Sequence, residues 1–195
     1  MIDLTSTPII ILAILGTVGV ALPVINIALK EKGSVISYGY VTLIALFASI
    51  GYVLYQLALD HVAPAALFSQ DVLVDDAFGA LFAIAMLIVA IFTTVGSFNY
   101  MKNKDNPSIY FSLILLSAIG MVLVAYSTDL VMLFIAWELM SIPTYILVGF
   151  LKKDPISNEA AIKYFLFGAL ASAIIIYGIS LAYGITGSTN IGEVI

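Results

Sequence analysis

Residues 130–151, LVMLFIAWELMSIPTYILVGFL, decide the fold, because Glu138 is the only charged side chain in this long apolar run. A transmembrane helix needs about 20 mainly apolar residues, and this segment is long enough to be one. Five other segments meet the same criterion, at about 7–29, 35–59, 77–100, 107–127 and 158–184. The sequence therefore predicts an all-α fold, a single membrane domain over residues 1–195 that forms a polytopic bundle of six transmembrane helices.

The composition of the chain also favours a bilayer over water. Of its 195 residues, 63% are hydrophobic and only 10% are charged, whereas soluble domains contain about 25% charged residues. The apolar segments are too long and too uniform for the short alternating strands of a porin-like barrel. The lipid bilayer is therefore the expected surrounding of this chain.

Several functional classes are excluded by what the sequence lacks. There is no cysteine, and His61 is the single histidine, so neither a thiolate cluster nor a histidine cluster can bind a metal. The sequence shows no glycine-rich phosphate loop and no catalytic triad, so we expect no cofactor-binding site in this chain. The net charge is −5 and the lysines form no basic run, so nucleic acid is not an expected partner.

The lysines predict the orientation of the bundle. The loops after the first, third and fifth predicted spans each carry a lysine pair, namely Lys30 and Lys32, Lys102 and Lys104, and Lys152 and Lys153. The opposite side carries no lysine, and its acidic residues are Asp3, Asp60, Asp71, Asp75, Asp76, Asp129 and Glu193. By the positive-inside rule, the lysine loops face the cytoplasm, or the matrix or stroma of an organelle, and both termini lie on the outer side.

Apart from Glu159, at the very start of the sixth predicted span, two charged residues lie within the predicted spans, Glu138 and Lys163. A charge at the centre of a membrane helix costs about 2.5–3.5 kcal/mol on insertion scales, so each one needs a physical reason. Glu138 lies roughly 12 Å from the outer end of its helix, too deep for its short side chain to reach water. Intramembrane carboxylates mostly mark ion or proton paths, and the alternative is a protonated glutamic acid that joins two helices by a hydrogen bond.

The residues that follow Glu138 favour the functional interpretation. Ser141 and Tyr145, at i+3 and i+7, place polar groups on the same helix face and are candidate contacts for water or a proton path. Pro143 cannot donate a helical hydrogen bond to the carbonyl of Leu139, so we expect a helix break or kink that frees this carbonyl as an anchor for water. The alternative is that the proline only shapes packing, which membrane helices tolerate.

Lys163 has two interpretations. It lies about 8–10 Å from the inner start of its predicted span, so its long side chain either serves a proton path or snorkels to the surface. Glu159, four residues earlier, is well placed to pair with it. The axial gap to Glu138 is on the order of 10 Å, so we expect no direct salt bridge between Glu138 and Lys163. In the same span, Gly168 and Ser172 form a pair of small residues that predicts close approach to a neighbouring helix.

Three segments resemble a known family. Residues 137–149, WELMSIPTYILVG, and residues 159–173, EAAIKYFLFGALASA, are similar to the fifth and sixth helices of subunit N of proton-pumping NADH–quinone oxidoreductase, respiratory complex I. Residues 74–78, VDDAF, are similar to the entry of its third helix. Related subunits occur in archaeal dehydrogenases that oxidise a reduced deazaflavin, in plastid photosynthetic complex I and in multisubunit cation/proton antiporters. The resemblance runs along the whole chain and is most specific over residues 129–187.

The resemblance implies a function for the two membrane charges. In this family the fifth-helix glutamate and lysines of later helices form the proton-translocating chain, and Glu138 and Lys163 match the glutamate and the sixth-helix lysine. Flavin and iron–sulfur clusters, and the site for a quinone-like acceptor, are expected in partner subunits of the complex. Family members have about fourteen helices, so the six spans correspond to the amino-terminal part of a longer subunit.

The resemblance also implies a location and leaves alternatives open. The cytoplasmic membrane of a prokaryote is the expected location, with an organelle inner membrane or thylakoid membrane as the alternative. One rival interpretation is a subunit of a cation/proton antiporter without redox partners. A second is a structural membrane scaffold, whose buried charges only hold subunits together.

Overall fold

The fold is described by a computed structural model, which covers residues 6–29, 34–59, 65–66 and 72–195. Six residues for which the sequence makes predictions lie outside the described residues, namely Asp3, Lys30, Lys32, Asp60, His61 and Asp71.

Six long helices run along the length of the described bundle. They are α1 (Thr7–Leu29), α2 (Val35–Ala58), α3 (Ala77–Met101), α4 (Pro107–Tyr126), α5 (Leu130–Val148) and α6 (Pro155–Thr186). All six are long and apolar enough to span a membrane, which confirms the predicted all-α polytopic fold. A short helix, α7 (Ile191–Val194), follows α6, and two short strands, β1 (Ala65–Ala66) and β2 (Val74–Asp75), pair antiparallel before α3.

The ends of the last two spans differ from the prediction, and local chemistry explains the difference. α5 ends at Val148 and not at residue 151, because the chain turns at Gly149, directly after Val148. α6 begins at Pro155, three residues before the predicted start, because the Asp154 side chain accepts a hydrogen bond from the Ile156 N–H and proline fits the first helical turn. It ends at Thr186, before Gly187 in the left-handed conformation (φ 71°).

α4 lies at the centre of the bundle and packs against α1, α2, α3 and α5. It is the most buried of the six spans, and its large core side chains include Phe111, Leu115 and Tyr126. Close packing against α1 is possible because Gly19 lies over Leu115 and Ser112 donates a hydrogen bond of 2.5 Å to the Gly19 carbonyl. The core of the membrane domain is therefore built around α4.

α6 lies at the edge of the described bundle. It packs mainly on α5, and none of its residues is buried. Its exposed side chains are largely apolar, including Phe167, Ile174 and Ile185, which suits contact with lipid or with further membrane helices. The α5–α6 contact is thus the main link between α6 and the rest of the described fold.

The acidic residues at one end of the bundle organise the helix starts. Asp75 is buried and accepts a hydrogen bond of 2.7 Å from the Thr7 N–H at the start of α1. Asp76 caps α3 through the Gly79 N–H, and Asp129 caps α5. The lysine pairs of the α3–α4 and α5–α6 loops lie at the other ends of these helices, as the antiparallel order requires. The predicted separation of charges is therefore present among the described residues.

Candidate functional site

The centre of the candidate site is a hydrogen bond between α5 and α6. Glu138, halfway along α5, is half-buried, and its Oε1 accepts a hydrogen bond from the Ser172 hydroxyl of α6. Both side chains lie in apolar spans and far from the helix ends. The carboxylate predicted to mark the site therefore has a specific polar partner on the neighbouring helix. The sequence indicated Ser172 only as a small residue at a helix contact and did not indicate this pairing.

Small residues allow the two helices to come together around this bond. A Cβ added to Gly168 would lie 2.6 Å from Cζ of Tyr145, and one added to Gly149 would lie 2.8 Å from Cβ of Ala161. Neither glycine position has room for a side chain unless its neighbour moves. The close approach predicted from Gly168 and Ser172 is therefore made with α5.

Tyr145 lies on the same side of α5 as Glu138. Its ring packs edge-on against Tyr164 and Phe165 of α6, with centroids 4.9 and 5.8 Å apart. Its hydroxyl end lies over Gly168, one turn from Ser172. Glu138 and Tyr145 thus both face α6, as their spacing predicts.

Ser141 makes its hydrogen bond within α5. It is buried, and its hydroxyl donates a hydrogen bond of 2.8 Å to the carbonyl of Trp137 in its own helix. The Ser141 proton is therefore already used, and the oxygen can act only as an acceptor for a further group. The structure does not bring its hydroxyl to the Glu138–Ser172 hydrogen bond.

Pro143 does not break α5, in contrast to the predicted helix break. The helix continues through this buried proline to Val148. The neighbouring Thr144 hydroxyl donates a hydrogen bond of 2.6 Å to the Ser141 carbonyl, a side-chain contact of the kind that stabilises proline-containing membrane helices. The effect of Pro143 is therefore local, since it removes one backbone donor opposite Leu139.

α5 also packs against α4 near Glu138, a contact that was not predicted from the sequence. A Cβ added to Gly120 would lie 2.6 Å from the Met140 Cα, so the backbones of the two helices touch. The Ser117 hydroxyl donates a hydrogen bond of 3.0 Å to the Met140 carbonyl. In the sequence, the spacing of the small residues Ser117 and Gly120 in α4 was the pattern that could have predicted this contact. These contacts hold the part of α5 that carries Glu138 against α4, the most buried helix of the bundle.

Lys163 lies apart from Glu138. Its Nζ is 2.5 Å from Oε1 of Glu159, and both side chains are about two-thirds exposed, at 65% and 66%. This is the pairing that the i,i+4 spacing predicts. Within the described part of the chain, no ion pair joins Glu138 to Lys163. A connection between the two would therefore require water or another residue.

The described residues contain no group of three or more histidine, cysteine, aspartate or glutamate side chains that could hold a metal ion. At the α5–α6 contact, the Glu138 carboxyl group lies between two helices, and a carboxyl group can exchange a proton. Such intramembrane carboxyl groups are typical of ion and proton pathways.

The fold and this contact define a class, the polytopic helical membrane proteins with an ionisable group inside the bundle. Comparison with known proteins specifies the family. Residues 127–195, which include α5 and α6, match the family described as "NADH:quinone oxidoreductase/Mrp antiporter, TM". The matched segment is therefore the one that carries Glu138 and Ser172.

Individual relatives extend the match to almost the whole chain. The chain is 37% identical over 189 residues to NADH-quinone oxidoreductase subunit N 1 of Solibacter usitatus, and the match covers 96% of this chain and 37% of the relative. It is 38% identical over 125 residues to F(420)H(2) dehydrogenase subunit N of Methanosarcina mazei, covering 64% of this chain and 25% of the relative. The predicted resemblance to subunit N is confirmed.

A solved structure agrees with the sequence relatives. The fold matches a chain of respiratory complex I from Thermus thermophilus, determined with bound aureothin, with a TM-score of 0.74 at 30% identity. The match covers 93% of this chain and 38% of that chain. The chain thus spans little more than a third of the length of the Solibacter relative and of the Thermus chain.

Proposed function

We propose that this chain is the amino-terminal part of an antiporter-like subunit that moves protons through the membrane domain of a complex I-type oxidoreductase. In this proposal, partner subunits hold the flavin and iron–sulfur clusters and oxidise NADH or a reduced deazaflavin. They reduce a quinone-like acceptor bound elsewhere in the complex, and the energy released drives proton movement through this subunit. The similarity to subunit N over 96% of the chain supports this assignment.

The observation that carries the proposal is the Glu138–Ser172 hydrogen bond between α5 and α6. A carboxyl group can bind or release a proton, and the Ser172 hydroxyl holds this one in a defined position between two helices. Intramembrane carboxyl groups of this kind are typical of ion and proton pathways. Glu138 is therefore the proposed proton-carrying group.

Lys163 has the supporting role in this proposal. It lies on α6 about two and a half helical turns before Ser172, the partner of Glu138, and its cation is paired with Glu159. Breaking the Glu159–Lys163 pair would free the lysine for a relay with residues of the remaining subunit. Ser141 and Tyr145 are the proposed weaker contacts to water in the path.

Replacement of Glu138 tests the proposal. Glu138→Gln keeps the shape and the hydrogen bond to Ser172 but cannot ionise, so we expect a severe loss of proton translocation per electron in the assembled, reconstituted complex. Glu138→Asp keeps the charge but is shorter by one methylene, so we expect partial activity. Electron transfer under uncoupled conditions and the amount of assembled complex serve as controls.

The scaffold interpretation predicts the reverse order, because a neutral amide joins two helices in hydrocarbon at least as well as a carboxylate. Wild-type pumping in Glu138→Gln would therefore contradict the proton-carrying role. The family description also names the Mrp antiporter, so a cation/proton antiporter is the second candidate function. Purification of the chain with redox subunits would favour the first candidate, and purification without them would favour the second.

The bacterial and archaeal relatives support the cytoplasmic membrane of a prokaryote as the location. In that membrane, the positive-inside rule orients the lysine loops to the cytoplasm and both termini of this chain to the outer side.

A further inference from the structure

A cavity of about 590 Å³ opens at the end of the bundle that carries the lysines. Its walls come from the α3–α4 loop and the α5–α6 loop, together with the adjoining ends of α4 and α5. Cavities of about 300–1,000 Å³ are typical of small-molecule sites. Because these helix ends mark the limits of the apolar spans, the cavity lies at the level of the lipid headgroups.

Three lysines line this cavity, Lys104, Lys152 and Lys153. Among the described residues, none of them forms an ion pair with an acidic side chain. Lys104 lies over the Tyr100 ring, 2.9 Å from its centroid, and the other two are exposed. Among the described residues, lysines without an ion-pair partner therefore lie on two walls of the cavity.

Two acidic residues, Asp105 and Asp154, also line the cavity. The Asp154 carboxylate is used as the cap of α6, where it accepts a hydrogen bond of 3.1 Å from the Ile156 N–H. At the start of α4, Asn106 is in the left-handed conformation (φ 57°) and its side chain makes no capping hydrogen bond. The positive end of the α4 dipole thus adds to the charge of the lysines.

The α5–α6 loop is held in position by its own hydrogen bonds. The Asn158 side chain donates a hydrogen bond of 3.0 Å to the Lys152 carbonyl, and the Ser157 hydroxyl donates one of 2.6 Å to the Val148 carbonyl. The Asp154 N–H donates to the Leu151 carbonyl at 2.9 Å. The loop backbone that carries these two lysines is therefore ordered by hydrogen bonds of the protein itself.

The wall on the membrane side of the cavity is apolar. Ile109 of α4 and Ile146 of α5 line the cavity, and both are exposed, at 42% and 50%. They lie about one turn from the loops, where the groove between α4 and α5 meets the hydrocarbon layer. A ligand that fits both walls has an anionic head and an apolar chain.

We propose that this cavity is a binding site for an anionic phospholipid, with the phosphate among Lys104, Lys152 and Lys153 and an acyl chain along Ile109 and Ile146. Basic pockets between transmembrane helices are suited to anionic headgroups. The proposal concerns a surface remote from the Glu138–Ser172 contact and is independent of the proton-carrying role. The lipid would tie together the two loops that precede α4 and α6.

The test uses the full-length polypeptide in its native complex, in nanodiscs of phosphatidylcholine with increasing phosphatidylglycerol. A phosphatidylglycerol with a photoreactive headgroup should crosslink to residues 103–106 and 149–154. In Lys152→Gln/Lys153→Gln we expect about 25-fold weaker half-saturation, since each lysine near an anionic headgroup contributes about fivefold. Lys152→Arg/Lys153→Arg should restore crosslinking.

Lys102→Gln is the matched control, because Lys102 belongs to the same loop as Lys104 but does not line the cavity. We expect it to crosslink like the wild type. Equal crosslinking in the double glutamine variant, or equal competition by phosphatidylcholine, would overturn the proposal. Displacement by millimolar inorganic phosphate would show a site for a soluble anion, and protein density in the cavity of the intact complex would show a polypeptide occupant. Either result would also overturn it.

Discussion

Ser172 is the residue whose role depends most directly on the folded structure. Its hydroxyl is the donor to Glu138, so Ser172→Ala leaves the carboxylate without this partner. We expect the α5–α6 contact to lose about 0.6–2 kcal/mol, the range of interhelical hydrogen bonds in membranes. Proton translocation per electron should fall, but less than in Glu138→Gln, because the ionisable group remains.

Ser180→Ala is the control for Ser172→Ala. Ser180 lies on the same helix, and its hydroxyl donates to the Tyr177 carbonyl within α6. Its loss should change neither the thermal stability of the complex nor its pumping. If Ser172→Ala pumps like Ser180→Ala while the complex assembles normally, the hydrogen bond to Glu138 has no part in proton transfer.

Variants of Lys163 distinguish a role in proton transfer from a purely structural role in α6. If it takes part in proton transfer, Lys163→Ala should reduce pumping while assembly and uncoupled electron transfer stay normal. If the Glu159–Lys163 pair only stabilises α6, its worth is about 0.3–0.5 kcal/mol, and Lys163→Gln should retain both activities. Measurement of protons moved per electron separates these outcomes, and normal values in both variants would leave only the structural role.

At the scale of the elements, the structure shows why some features could be predicted from the sequence and others could not. The six helices follow from the length of the apolar runs, and the Glu159–Lys163 pair follows from spacing within one helix. The Glu138–Ser172 pair depends on the register between two antiparallel helices, which no local pattern specifies. The start of α6 at Pro155 was predictable from Asp154 and proline, whereas hydrophobicity alone placed it later.

Two glycines allow a direct comparison of helix contacts. An added Cβ at Gly120 meets the Met140 backbone, whereas at Gly168 it meets the end of the Tyr145 side chain, which can move. Overpacking of a tight contact costs about 1–3 kcal/mol. We therefore expect Gly120→Ala to lower the thermal unfolding midpoint in detergent more than Gly168→Ala does.

Gly178→Ala provides the reference for both variants, because nothing lies within 4 Å of a Cβ at that position. Alanine is also the better helix former, so Gly178→Ala should be neutral or slightly stabilising. An unfolding midpoint for Gly120→Ala equal to that of Gly178→Ala would show that α4 and α5 are not in backbone contact.

At the scale of the whole molecule, the absence of cysteine makes the orientation directly measurable. Single cysteines at Ser34, Asn103 and Lys153 should react with membrane-impermeant reagents only from the inner side. Cysteines at His61 and Thr128 should react only from the outer side. This pattern follows from six antiparallel spans with the lysine loops inside. Labelling of positions 61 and 103 from the same side would contradict the arrangement.

The uncovered surface of α6 has a consequence for how this domain selects its neighbours. Lipid tails are as apolar as leucine, so another helix gains little from the apolar area of α6 alone. Specificity must then come from shape and from polar groups, and Glu159 and Lys163 are the only charged residues of α6. Lys163, which belongs to the proposed proton path, and its ion-pair partner Glu159 would thus also be the polar groups by which a neighbouring helix recognises this surface.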